Sequence, residues 1–138
     1  MKIPIPALFL LAMTAAGCGD SSSGPPTIER GEEIRLEQVG EVLRNYQLAK
    51  GKPPKSIKEL RSAPGDSGGS DLVITGDVVV NWGVPLPDTK EEGGGSPNEE
   101  VLAYGKDVPT KGGPVLLLNR AVRRMTAEEF KAAPQAKP

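Results

Sequence analysis

The sequence has no histidine, only one cysteine and few aromatic residues. Without histidine, a protein lacks the commonest general base of enzymes and the commonest ligand of protein-bound metals. The single cysteine, Cys18, cannot form a disulfide within the chain. The formal net charge of -1 gives no general attraction to nucleic acid. We therefore predict a protein that is not an enzyme, has no cofactor and does not bind nucleic acid.

Long apolar stretches are also lacking, except for one at the start of the chain. Lys2 is followed by residues 3–17, which are almost wholly apolar or small, and then by Cys18. A basic start, a short apolar core and small residues before a cut site are typical of a secretory signal. The stretch is shorter than the roughly 20 residues of a spanning helix. The order Ala15-Ala16-Gly17-Cys18 is typical of a bacterial lipoprotein signal, which is cut before a lipidated cysteine.

This pattern predicts a signal peptide over residues 1–17, cleavage between Gly17 and Cys18, and lipidation of Cys18. The alternative interpretation is a buried N-terminal helix with an incidental cysteine. Residues 18–26 favour the signal, because a small, polar, proline-rich segment suits a flexible spacer. We therefore expect a lipoprotein of the bacterial cell envelope, held at a membrane by its lipid anchor, with its domain outside the cytoplasm.

The following residues, 27–133, are enough for one domain with a modest core. Apolar residues recur at three- and four-residue steps from Leu36 to Tyr46, which predicts an amphipathic helix over 27–50. Ser56 and Thr126 each precede a glutamate by three residues, a capping-box pattern that predicts short helices there. We expect an α+β fold in which the long helix packs on a small antiparallel sheet. Strands are predicted at 72–75, 78–82, 101–104, 114–118 and 121–124, with a loop at 63–71, a mobile loop at 85–98 and a disordered tail at 134–138.

One short motif resembles a catalytic one. Gly65-Asp66-Ser67-Gly68-Gly69 matches the residues around the nucleophile of chymotrypsin-like serine proteases. That chemistry needs a base beside the serine, usually histidine. The chain has no histidine. We therefore interpret Ser67 as part of a flexible loop.

Acidic residues in two predicted loops are candidate calcium ligands, because calcium binds carboxylate and carbonyl oxygens. Asp66 and Asp71 belong to the first loop and Asp88 to the second, without the spacing of an EF-hand. The alternative interpretation is that these acidic residues are ordinary charged residues of solvent-exposed loops. The second loop also contributes Glu91, Glu92, Asn98 and Glu99.

Two further groups of residues have a binding and a structural interpretation. Arg120, Arg123, Arg124 and Lys131 form a basic cluster. They could contact lipid headgroups or an acidic partner, and the simpler expectation is a solvated hairpin edge that discourages strand pairing. Trp82 and Tyr104, at the ends of predicted strands, could line a groove, although we favour a role in the core.

The stretch 36–60 resembles the soluble part of type II secretion pseudopilins and related pilin-like proteins. In these, a helix ending near a tyrosine is followed by Gly-x-Pro-Pro-x-Ser, and the residues that match here are Tyr46, Gly51, Pro53, Pro54, Ser56, Ile57 and Leu60. Residues 101–104, 112–118 and 122–130 are similar to the end of such domains. Two features depart from the family: the lipoprotein signal replaces its N-terminal filament-forming helix, and Asn119-Arg120 replaces an Asp-Gly turn.

The resemblance implies a long helix packed on a small antiparallel sheet, and a structural protein rather than an enzyme. We therefore expect a membrane-anchored envelope lipoprotein that acts through contacts with an envelope protein partner. The alternative is an envelope module that binds calcium or a small ligand between the loop 85–98 and the sheet.

Overall fold

A computed structural model describes residues 28–62 and 69–138. Helix α1 spans Ile28–Lys50 and buries Leu36, Val39, Leu43 and Tyr46 along one face. It ends at Gly51, whose N–H donates to the carbonyl oxygen of Gln47 at 2.8 Å. Gly51 has a φ of 70°, a left-handed conformation that glycine adopts without steric cost. The long amphipathic helix predicted from the apolar spacing is confirmed.

Four antiparallel strands form one sheet in the order β1-β2-β3-β4. They span Val78–Val80 (β1), Val101–Gly105 (β2), Gly113–Leu117 (β3) and Val122–Met125 (β4). The register of β2 against β3 shifts between Val101 and Ala103, which marks a β-bulge. With α1 packed against this sheet, the α+β class is confirmed.

Short helices surround the sheet, and two of them begin where the capping pattern predicts. The Oγ of Ser56 accepts from the N–H of Glu59 at 3.3 Å, and Thr126 and Glu129 exchange both bonds of a capping box. The short helices are α2 (Ile57–Arg61), α3 (Gly69–Ile74), α4 (Val108–Lys111) and α5 (Ala127–Ala132).

Both faces of the sheet are buried. Alternate residues of β3 point to opposite sides, so that Leu116 lies in one core and Val115 and Leu117 in the other. The first core packs under α1, α2 and α3, and the second under α4 and α5. The domain therefore has three layers: the helices α1, α2 and α3, then the sheet, then a smaller cap formed by α4 and α5.

The prediction of a strand at 72–75 is wrong. These residues belong to α3 and the turn after it, where Thr75 N–H donates to the carbonyl oxygen of Asp71 at 2.9 Å. A short run of β-branched residues does not distinguish a strand from a buried helix, and the packing of α3 on α1 decides the outcome. Helix α4 was not predicted, and β1 ends two residues before the predicted end at Trp82.

The tail at 134–138, predicted to be disordered, instead packs on the sheet. Gln135 forms a parallel bridge with Val101, and Ala136 is buried in the core under α1. Polar and proline-rich composition suggested disorder, but backbone hydrogen bonds to β2 hold these residues in place.

Candidate functional site

A groove of about 350 Å³ opens at the end of the sheet, between α1 and α4. Its floor is apolar, with Leu36, Val78 and Val108, and its rim is charged. The rim residues come from α1, from the start of β1 and from the turn after β2, and they are Glu32, Arg35, Asp77, Lys106 and Asp107.

An ion pair crosses the rim of the groove. Lys106 Nζ lies 2.7 Å from Asp77 Oδ1, and Thr75 Oγ1 donates to Asp77 Oδ2 at 3.0 Å. The hydrogen bond from Lys106 is the main cause that lowers the pKa of Asp77, with smaller contributions from Thr75 and Arg35. The same hydrogen bond raises the pKa of Lys106.

These shifts limit the chemistry of the pair. A general base works best when its pKa lies near the ambient pH. Here both groups move away from neutrality, so Asp77 is a weaker base and Lys106 is held as an ammonium.

The basic cluster predicted at the hairpin edge is split by the structure. Arg123 and Arg124 are exposed and lie 3.5 Å from Glu99 and 3.4 Å from Glu33, respectively. Arg120, expected to be solvated, is instead buried, with a side chain only 3 % exposed. For this residue the prediction is wrong, because polar groups around the guanidinium replace water.

The Arg120 guanidinium joins three parts of the fold. Nη1 donates to Glu41 Oε1 of α1 at 2.8 Å. Nη2 donates to the backbone oxygens of Lys90 and Glu92 in the loop 85–98. Arg120 itself sits in the β3–β4 turn with a φ of 65°, so a non-glycine residue occupies a left-handed position. Gly93 lies so close that a Cβ there would be 3.0 Å from the carbonyl oxygen of Arg120.

The loop 85–98, predicted to be mobile, is fastened at several points. Gln47 of α1 exchanges two hydrogen bonds with the backbone of Leu86, and Arg44 Nε donates to the carbonyl oxygen of Thr89 at 2.7 Å. Gly94 N–H donates to the carbonyl oxygen of Asn119 at 2.6 Å. The glycine and proline content predicts an irregular backbone path, and this is confirmed. It does not predict the hydrogen bonds that hold the loop.

The calcium candidates that the structure describes, Asp71 and Asp88, belong to no group of three or more potential metal ligands. Asp66 lies outside the described residues, Asp71 is exposed in the first turn of α3, and Asp88 accepts from the N–H of Lys90 at 2.9 Å. Across residues 28–62 and 69–138, no three acidic, histidine or cysteine side chains come together as metal ligands. The backbone oxygens of Lys90 and Glu92 already bind a cation, the guanidinium of Arg120.

A cavity of about 350 Å³ lies beside the loop, lined by Glu37, Glu41, Gly93, Arg120, Ala121 and Val122. Where the loop begins, packing against Gln47 and Trp82 leaves a cavity of about 10 Å³, which holds no more than one water molecule. Trp82 packs on the core under α1, whereas the Tyr104 ring meets Phe130 edge-on in the other core, with centroids 4.6 Å apart. The two aromatic residues therefore contribute to separate cores rather than to one groove.

The protein matches no family model, no curated protein and no solved structure.

Several predicted sites fall outside the described part of the chain. Gly17, Cys18 and Ser67 lie there, so lipidation and the interpretation of the serine motif stay predictions. None of the helices in residues 28–62 and 69–138 combines the length and apolar character needed to cross a membrane.

Sequence reasoning missed the groove. Asp77 and Lys106 are 29 residues apart and only the pairing of β1 with β2 brings them together. No local spacing signals such a pair.

We predict that Lys106→Met raises the pKa of Asp77 toward its ordinary value of 3.8, because the main hydrogen-bond donor to the carboxylate is lost. A carboxyl-carbon NMR titration measures this pKa directly. In the unaltered protein, the depressed pKa adds stability above about pH 3.8, which is lost as the pH falls through the folded pKa. Lys50→Met, at the exposed end of α1, serves as the control. An unchanged Asp77 pKa in Lys106→Met would contradict the assignment.

We predict that Arg120→Ala lowers the free energy of unfolding by about 2–4 kcal/mol, since it removes a buried guanidinium with charged and backbone partners. Arg120→Gly loses the same bonds but relieves the left-handed backbone, so it should be about 1 kcal/mol less damaging. Urea unfolding measures both. Arg123→Ala, an exposed residue, should cost less than about 1 kcal/mol. Equal effects of Arg120→Ala and Arg123→Ala would refute the structural role of Arg120.

Proposed function

We propose that the chain is a lipid-anchored protein of the bacterial cell envelope, with a non-catalytic, pseudopilin-like domain that acts through contacts with a protein partner. The observation that carries the proposal is the order of its segments. A lipoprotein-type signal ends at Cys18, a polar spacer follows, and α1 begins at Ile28. Lipidation of Cys18 would therefore attach the membrane to the N-terminal end of α1.

The start of α1 supports this arrangement. Ile28 is 86 % exposed, and the buried face of the helix begins only at Leu36. The residues before Leu36 contribute no buried side chain, although Glu33 pairs with Arg124 and Glu32 and Arg35 line the groove. Residues 19–27 reach at most about 30 Å when fully extended, so the domain would lie close to the membrane surface.

The described domain supports the pseudopilin-like part of the proposal by its general plan. A long N-terminal helix packs on an antiparallel sheet, and Pro53-Pro54 leads to a short helix capped by Ser56. The cap formed by α4 and α5 on the opposite face is an addition to the plan expected from the resemblance.

The non-catalytic part of the proposal rests on the sequence, which has no histidine to act as a general base. The ion pair at the rim of the groove holds Asp77 and Lys106 in their charged forms. The same charges suit recognition of a polar protein surface. Among the described residues, no group of three acidic side chains assembles as a calcium site. The other form of the alternative, a small ligand between the loop 85–98 and the sheet, would occupy the cavity of about 350 Å³ lined by Gly93, Arg120 and Val122.

The lipid anchor is tested by growing the native bacterium with radiolabelled palmitate and isolating the protein. We expect label in the wild type and none in Cys18→Ser, and we expect the wild type in the membrane fraction, accessible to added protease once the envelope is opened. A Ser21→Ala variant is the matched control for a change in the same segment. An unlabelled wild type, or a protein found in the cytoplasm, would refute the proposal.

A further inference from the structure

Three glutamates follow one side of α1 at four-residue steps, and they are Glu33, Glu37 and Glu41. The first and last of them pair with arginines of the β3–β4 hairpin. Glu33 Oε1 lies 3.4 Å from Arg124 Nη1, and Glu41 Oε1 lies 2.8 Å from Arg120 Nη1. Four residues of a helix advance about 6 Å and two residues of a strand about 6.7 Å, so the two elements stay in register. The result is an ion-pair ladder between α1 and the hairpin.

The middle step of this ladder has no arginine. Val122, two residues after Arg120, takes the position opposite Glu37. Among residues 28–62 and 69–138, the Glu37 carboxylate forms no ion pair and no hydrogen bond. Both oxygens of Glu41 are engaged, Oε1 by Arg120 and Oε2 by Arg44 at 3.4 Å. Within the ladder, Glu37 is therefore the acid that keeps a free carboxylate.

The cavity of about 350 Å³ beside the loop opens at this middle step, because Glu37 and Val122 both line it. The other lining residues come from α1, the hairpin and the loop 85–98, and they are Glu41, Gly93, Arg120 and Ala121. The bonds of Arg120 to Glu41 and to the loop hold these walls together before any ligand arrives. A preformed site loses less free energy to ordering when it binds.

We propose that this cavity receives an arginine side chain of the protein partner, which completes the ladder at its middle step. The guanidinium faces Glu37 and can pair with that carboxylate through two parallel N–H···O bonds. The methylene stem lies along Ala121 and Val122, as the stems of basic residues do on apolar surface. The charge of Arg120 is balanced by Glu41, so it opposes the incoming cation little. The inference rests on the proposed function in one respect, that the partner is a protein.

A blocked peptide, acetyl-Gly-Arg-Gly-amide, tests the site on the detergent-solubilised full chain at low ionic strength. Methyl NMR spectra follow the Val122 signals as the peptide concentration rises, and the shifts give the affinity. The control peptide carries citrulline in place of arginine, which keeps the shape of the side chain and removes its charge. The variants are Glu37→Gln and, as the matched control, Glu29→Gln in the exposed first turn of α1.

We expect a saturable shift of the Val122 methyl signals with the arginine peptide and about tenfold weaker binding of the citrulline peptide. Glu37→Gln should weaken binding of the arginine peptide to the citrulline level. Glu29→Gln should leave the affinity within about twofold of the wild type. An unchanged affinity in Glu37→Gln, or no saturable shift in the wild type, would overturn the proposal.

Thermal unfolding separates a binding role of Glu37 from a structural one. Because Glu37 has no partner among the described residues, Glu37→Gln should keep the wild-type melting temperature. Glu41→Gln should lower it, since the buried Arg120 loses its carboxylate. An equal loss in both variants would assign Glu37 to the fold and overturn the proposal. None of these results depends on the lipid anchor, so palmitate labelling tests the proposed function separately.

Discussion

The buried guanidinium of Arg120 connects the parts of this domain that the strand pairing leaves separate. It bonds to Glu41 on α1 and to the backbone of the loop 85–98, from a turn between β3 and β4. The two Nη groups of this buried side chain are paired, whereas its buried Nε has no hydrogen-bond partner within the described part of the chain. The bonds of the Nη groups therefore hold the three elements together. Asn119 reinforces the junction by bonding to Ser96 and Gly94 of the same loop.

This junction shapes the surface around the loop 85–98. Arg120 occupies the backbone oxygens of Lys90 and Glu92, and it also lines a cavity of about 350 Å³ together with Gly93 and Val122. Accessible surfaces include the charged groove at Asp77 and Lys106, the cavity beside Gly93 and the exposed start of α1. All three are open to contact with other molecules.

Local signals predicted the local parts of the fold. The apolar spacing of α1 and the capping residues Ser56 and Thr126 act within a few residues, so the sequence reveals them directly. The ion pair at Asp77 and the burial of Arg120 depend on residues tens of positions away, and no spacing rule reports them. Helix α3 also escaped prediction, since its packing on α1 outweighs the strand preference of its β-branched residues.

The most direct test of this account is a measurement of backbone order in the loop 85–98 by NMR relaxation. A loop held by Arg120, Gln47 and Asn119 should show order parameters near those of the strands, about 0.85. Its composition alone predicts mobility, with values below about 0.6. Strand-like values across Thr89 and Gly94 would support the junction. Values typical of a flexible loop in the unaltered protein would contradict the central role given to Arg120.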